Sequence, residues 1–133
     1  MSKDQDNCVF CQIAHHDIPT HLRFEDEEII AFDDHNPSAP IHVLIIPKAH
    51  IPSLIAVKEN DQIMLGKLLY RAKLLADQLN IADTGYRVSI NVGEWGGQIV
   101  SHLHLHLLGG APLSIDRSQV AVQAKSIPKA VIE

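Results

Sequence analysis

Only two cysteines occur in this 133-residue chain, at Cys8 and Cys11. Two are too few for a disulfide framework. In a reducing compartment a C-x-x-C pair points instead to metal or redox chemistry. Aromatic residues are scarce, at 5%, with one tryptophan. Positive charge is also short: 11 Lys and Arg against 16 Asp and Glu give a net charge of -5. With no long basic run, a nucleic-acid scaffold is disfavoured, although a small phosphorylated ligand remains possible. No apolar run approaches the ~20 residues that span a bilayer, so no membrane partner is expected. The polar start, Met1 to Asp6, carries no secretory signal, and a cytoplasmic protein is expected.

What the chain does have is His102-Leu103-His104-Leu105-His106. Side chains on a strand alternate faces. The spacing predicts three histidines on one wet face, each about 6.6 Å from the next, and leucines in the core behind. Imidazole can act as nucleophile, proton carrier or metal ligand near neutral pH. One such histidine is usually a polar surface residue; three in strict alternation are better read as a site. Glycines flank the run at Gly93, Gly96 and Gly97 and at Gly109 and Gly110, where backbone must approach a ligand closely.

The length predicts one domain over residues 1–133, ending in a C-terminal tail at 111–133. Residues 1–6 read as disordered. A short helix is expected from Cys8 to His15. Strands are expected at Leu22 to Glu25, Ile29 to Asp33, His42 to Pro47, Tyr86 to Val92 and Ser101 to Leu108. Asn36 to Pro40 is a loop because its prolines oppose pairing. One long helix should run from Asp61 to Leu79, capped by Asn60 or Asp61, with an apolar stripe through Ile63, Leu68, Leu75 and Leu79. Hairpin-length connections favour antiparallel order. The fold class is therefore α+β. His15, His16 and His21 read as solvated.

Taken together, the triad, the Gly-rich loop and the strand His42 to Pro47 resemble the histidine triad (HIT) superfamily, and the resemblance covers the core of the domain at about residues 8–110. The motif His102-Leu103-His104-Leu105-His106-Leu107-Leu108 fits its signature of histidines alternating with apolar residues. Asn91 to Gly110 is most similar to the Hint branch, the purine nucleoside phosphoramidases. Phe32 with Asp34, Pro40-Ile41-His42, and Pro47-Lys48-Ala49-His50-Ile51 match that branch in order and spacing. The resemblance implies a five-stranded antiparallel sheet with one long and one short helix, and a homodimer with the long helix and the Asn91 to Gln98 region near the shared face. It implies hydrolysis or transfer of purine nucleoside 5'-phosphoramidates, or related monophosphate esters, through a nucleotidyl-histidine.

Residue by residue, the resemblance makes His104 the nucleophile, with His106 and the backbone near Gly97 on the phosphate. Asn91 would hold the scissile region, Asp34 the ribose, and Phe10 and Phe32 the base, while His42 orients the triad. It also completes Cys8 and Cys11 with His50 and His102 as a structural zinc site. Two positions depart from the branch. Ile99 stands where serine is usual; it removes a hydroxyl near the leaving group, narrows the space beside His104 and is expected to slow turnover. His35 replaces an apolar residue beside the ribose. Two other classes stay open: a zinc hydrolase using the triad as ligands, and a nucleotide-binding module with weak activity.

Overall fold

Asp26 folds the first hairpin. Its Oδ1 accepts from the Glu28 and Ile29 amides, both at 2.8 Å, and so turns β1 (Leu22–Glu25) into β2 (Ile29–Asp33). This is an Asx turn, in which a short carboxylate replaces a backbone acceptor. The computed structural model describes residues 7–114. The expected disorder at 1–6 and the tail from 115 to 133 lie outside the described residues. From β2 the chain enters β3 (Ile41–Pro47), a β-branched apolar run buried on both faces. After two short 3-10 turns it forms helix α2 (Gln62–Gln78), then β4 (Arg87–Ser89) and β5 (Leu105–Gly109). The five strands pair antiparallel in the order β1-β2-β3-β5-β4.

Alternation assigns the two faces. Ile29, Ala31, Val43, Ile45, Leu105 and Leu107 meet α2 through Met64, Leu68, Ala72, Leu75 and Ala76. Ile30, Phe32, Leu44 and Ile46 face the opposite way and meet helix α1 (Val9–Ala14) through Phe10, Cys11, Ile13 and Ala14. Full burial of a leucine such as Leu68 or Leu75 is worth about 1.5–3 kcal/mol. The sheet is thus held between a long helix and a short one, as expected.

Several boundaries move. Ile63 is 75% exposed and lies off the buried stripe, which Met64 occupies instead. Positions 64, 68, 72, 75 and 76 keep the spacing of three or four that one helix face requires, and 63 does not. Asp61 is the N-cap residue of α2, but its side chain accepts from the Lys58 amide at 3.0 Å. The last two strands are shorter than expected. β4 stops at Ser89, and β5 starts only at Leu105, so His102 and His104 precede it.

The wet face is the larger correction. His102 is fully buried and His104 is 6% exposed. The leucines do fill the core, but α1 lies over the imidazoles. Alternation in sequence shows which side chains share a face; it does not show what covers that face.

Candidate active site

Four histidines converge on the α1 side of the sheet, and hydrogen bonds assign a tautomer to each. His104 Nδ1 lies 2.6 Å from the His102 carbonyl oxygen. A carbonyl only accepts, so Nδ1 carries the proton and Nε2 keeps its lone pair. His102 Nε2 lies 2.8 Å from the Pro47 carbonyl, which by the same reasoning leaves Nδ1 of His102 as the lone-pair atom. The Ser38 amide donates to His42 Nδ1 at 3.0 Å. His42 must then carry its proton on Nε2, which donates to His106 Nδ1 at 2.9 Å. His106 consequently holds its own proton on Nε2. The outcome is one bare nitrogen on His104 beside one N–H donor on His106, their rings 4.9 Å apart.

Burial disfavours the charged form of three of these imidazoles, His42, His102 and His106. Loss of solvent, then the neighbouring His104 and His42, push His106 down to about 4. His102 is pushed down to about 4, chiefly by burial. His42 is also lowered, by burial first, with Asp34 opposing that shift. Asp34 Oδ2 stands 3.5 Å from His42 Nε2, and its Oδ1 accepts from the Asn36 amide. Asp34 therefore sits at the rim of the histidine set.

Phe10 closes the site from α1. Its ring meets His104 edge-on at 5.1 Å, Phe32 at 5.5 Å and His102 at 6.0 Å. Edge-to-face packing favours these separations.

The Gly-rich loop is pinned from several sides. Asn91 Nδ2 donates to the Gly96 carbonyl, and Gln98 Nε2 donates to the Pro52 and Val100 carbonyls. A Cβ at Gly96 would stand 2.2 Å from the Val92 carbonyl oxygen, so only glycine fits there. Gly97 has φ +82° and lies against Asn91. Ile99 does not narrow the space beside His104. It is 94% exposed and lines a cavity of about 490 Å³ with Cys8, His50 and Ser101. His35 is exposed, as are His15, His16 and His21.

Cys8, Cys11, His50 and His102 come together as expected, their ligand atoms all within 4.8 Å of one another. Cys8 Sγ and Cys11 Sγ lie 3.4 and 3.5 Å from His102 Nδ1, and Cys11 Sγ lies 3.1 Å from His50 Nδ1. A tetrahedral zinc with Zn–S near 2.3 Å and Zn–N near 2.0 Å has ligand–ligand edges of about 3.3–3.8 Å, so the donor set fits. The Pro47 carbonyl also holds His102 in the ligating tautomer, the usual role of an outer partner. Burial and a hydrogen bond to Cys8 push the Cys11 thiol up to about 12, and a bound cation would favour its thiolate.

The triad itself does not converge on one point. His102 Nδ1 faces the thiols, His104 Nδ1 a carbonyl and His106 Nδ1 faces His42. That geometry disfavours a three-histidine zinc centre. The residues that sequence reasoning missed are Ser38 and Pro47, which act through backbone groups. Prolines at 37 and 40 marked the loop, but no side-chain pattern could name an amide donor.

A family profile described as "Scavenger mRNA decapping enzyme C-term binding" matches residues 7–119. "Protein HitA" of Neisseria gonorrhoeae is 43% identical over 104 residues, 78% of this chain and 96% of that protein. The "Purine nucleoside phosphoramidase" of Escherichia coli K12 is 41% identical over 105 residues, 79% of this chain and 88% of that protein. A crystal structure of a HIT family hydrolase from Legionella pneumophila superposes with a TM-score of 0.79 at 48% identity, covering 81% of this chain and 96% of that one. A histidine triad protein from Clostridium difficile gives 0.82 at 37% identity, covering 87% and 99%. The chain belongs to the histidine triad superfamily, among its hydrolases. Among the described residues no helix is long and apolar enough to cross a membrane.

Proposed function

We propose that the protein cleaves purine nucleoside 5'-phosphoramidates, or related nucleoside monophosphate esters, through a nucleotidyl intermediate on His104. The observation that carries this reading is the 2.6 Å bond from His104 Nδ1–H to the His102 carbonyl, which leaves Nε2 as the free lone pair. In the first step Nε2 bonds to the α-phosphorus while the bond to the leaving amine breaks and the amine takes a proton. In the second, water displaces the imidazole and releases the nucleoside monophosphate. Two easier displacements replace one hard one. His106 Nε2–H points a donor at the phosphoryl oxygens, where charge develops. Asn91 and the Gly96-Gly97 turn hold the phosphate side, Asp34 takes the ribose hydroxyls, and the base lies against Phe10 and Phe32.

Cys8, Cys11, His50 and His102 would hold a structural zinc, which ties α1 to the segment that leads into the triad. The E. coli relative's name supports the substrate class. The test follows an α-phosphate-labelled adenosine phosphoramidate in single turnover. Label should become protein-bound and acid-labile, and His104→Ala should abolish both label and turnover with the fold retained. Turnover that persists in His104→Ala, or that never labels the chain, would overturn the reading.

A further inference from the structure

Cys8 and Cys11 stand one helical turn apart. Cys8 caps α1, its Sγ accepting from the Cys11 amide at 3.4 Å. Across one turn Cα atoms lie about 5–6 Å apart, within the span that a disulfide bridges. Both thiols are free. Each sulfur also faces an imidazole at 3.5 Å or less. A sulfur can serve one arrangement or the other. Joined to its partner at about 2.05 Å, it has no thiolate charge left for a cation.

The cluster is reachable. The 490 Å³ cavity lined by Asn7, Cys8, His50, Ile99 and Ser101 opens directly on it. Cys8 borders this cavity and is 8% exposed, whereas Cys11 is 2% exposed behind it. The helix that carries both thiols also carries Phe10, whose ring lies 5.1 Å from that of His104. Events at the sulfurs are therefore mechanically linked to the triad.

We propose that Cys8 and Cys11 are a reversible redox pair, and that their disulfide dismantles the four-donor cluster and slackens α1 over the triad. The oxidant is a peroxide. Cys8 sulfur attacks one peroxide oxygen, the O–O bond breaks, and a sulfenic acid and one water form. Cys11 sulfur then displaces the remaining oxygen as a second water. Two thiols lose two electrons and two protons, and hydrogen peroxide takes up both. A thiol reductant reverses the change. Only the metal-release arm rests on the zinc reading above.

The test treats reduced, zinc-loaded full chain with hydrogen peroxide. Non-reducing peptide mapping should find a Cys8–Cys11 link, and a metal indicator should report one zinc released per link formed. Hydrogen exchange at residues 9–14 should speed several-fold and return with dithiothreitol. Cys11→Ser should stop at a sulfenic acid on Cys8, trapped by dimedone. Over-oxidation of the thiols without a link would overturn the proposal. Zinc that stays bound in the linked chain, or unchanged exchange in α1, would overturn it as well. If the reduced chain takes up no zinc, the zinc reading fails by itself, and mapping and exchange still decide the redox pair.

Discussion

His42 Nε2 sits 2.9 Å from His106 Nδ1, a diagonal contact between neighbouring strands. His42 pairs with Leu108 and His106 with Leu44, so both imidazoles project from one face, two residues out of register. Diagonal neighbours on one sheet face remain within reach of long side chains. The Ser38 amide sets the direction of the bond, and the bond in turn sets which nitrogen His106 offers to substrate.

Losing this donor should therefore affect the transition state more than binding. His42→Leu should lower kcat by about 10- to 100-fold with KM little changed, since a hydrogen bond that orients a catalytic donor is worth roughly 1.5–3 kcal/mol. His42→Gln places an amide N–H near the lost Nε2 and should recover part of that loss. Steady-state kinetics decide it. Equal losses in the two variants would mean that His42 acts by packing alone.

Acid should weaken the fold through the same pair. His106 is pushed down to about 4 when folded, mainly by burial, and it titrates near 6.5 in the unfolded chain. Between those values the unfolded chain holds a proton that the native state refuses, so stability rises with pH. The contribution is complete above about pH 6.5 and is lost as pH falls towards 4. His42, also lowered by burial, adds in the same direction. Urea unfolding at pH 7.5 and at pH 5 should differ by about 1–3 kcal/mol from these groups. His106→Asn should flatten the dependence, leaving the part due to His102. An undiminished slope in that variant would contradict the assignment.

Much of the site was legible because alternation, spacing and C-x-x-C are side-chain patterns. His102, His104 and His106 announced themselves, and His50 stands where the resemblance placed it. What stayed hidden was carried by backbone or by distant cover. Nothing in Ser38 or Pro47 as residue types announces an amide or a carbonyl aimed at an imidazole. Nothing in the triad says that a six-residue helix lies over it, because Phe10 is about ninety residues away in sequence. Ile99 failed differently. The pinned loop turns its side chain outward, which sequence register cannot specify.

The four-donor cluster predicts a metal-dependent melting temperature. Equimolar or excess zinc added to reduced protein should stabilise it by about 2.7 kcal/mol at a hundredfold excess over Kd, and a chelator should reverse the gain. Cys8→Ser should remove most of that increment while changing single-turnover chemistry much less, since Cys8 reaches His104 only indirectly, through α1 and through His102. Calorimetric scans with and without zinc, together with metal analysis of protein purified without chelator, check it. Identical scans would rule out zinc binding at this cluster.

Assembly is the last expectation, and the sheet edge carries it. β4 ends the strand order, so among the described residues one side of its backbone has no neighbouring strand. Beside it runs an apolar groove of about 420 Å³ lined by Leu54, Leu65, Leu69, Val88, Ile90 and Leu105. Leu69 and Tyr70 on α2 are 58% and 61% exposed, and Trp95 on the nearby loop is wholly exposed. An open edge next to exposed apolar side chains invites another chain. A second copy turned about a two-fold axis would cover both at once, pairing β4 with β4 and α2 with α2. Sedimentation at micromolar concentration should therefore give the mass of two chains. Leu69→Glu would bury an unpaired charge at each of two symmetric positions and should give one chain, with the fold intact by circular dichroism. A single-chain mass for the unaltered protein, with full activity, would refute the dimer.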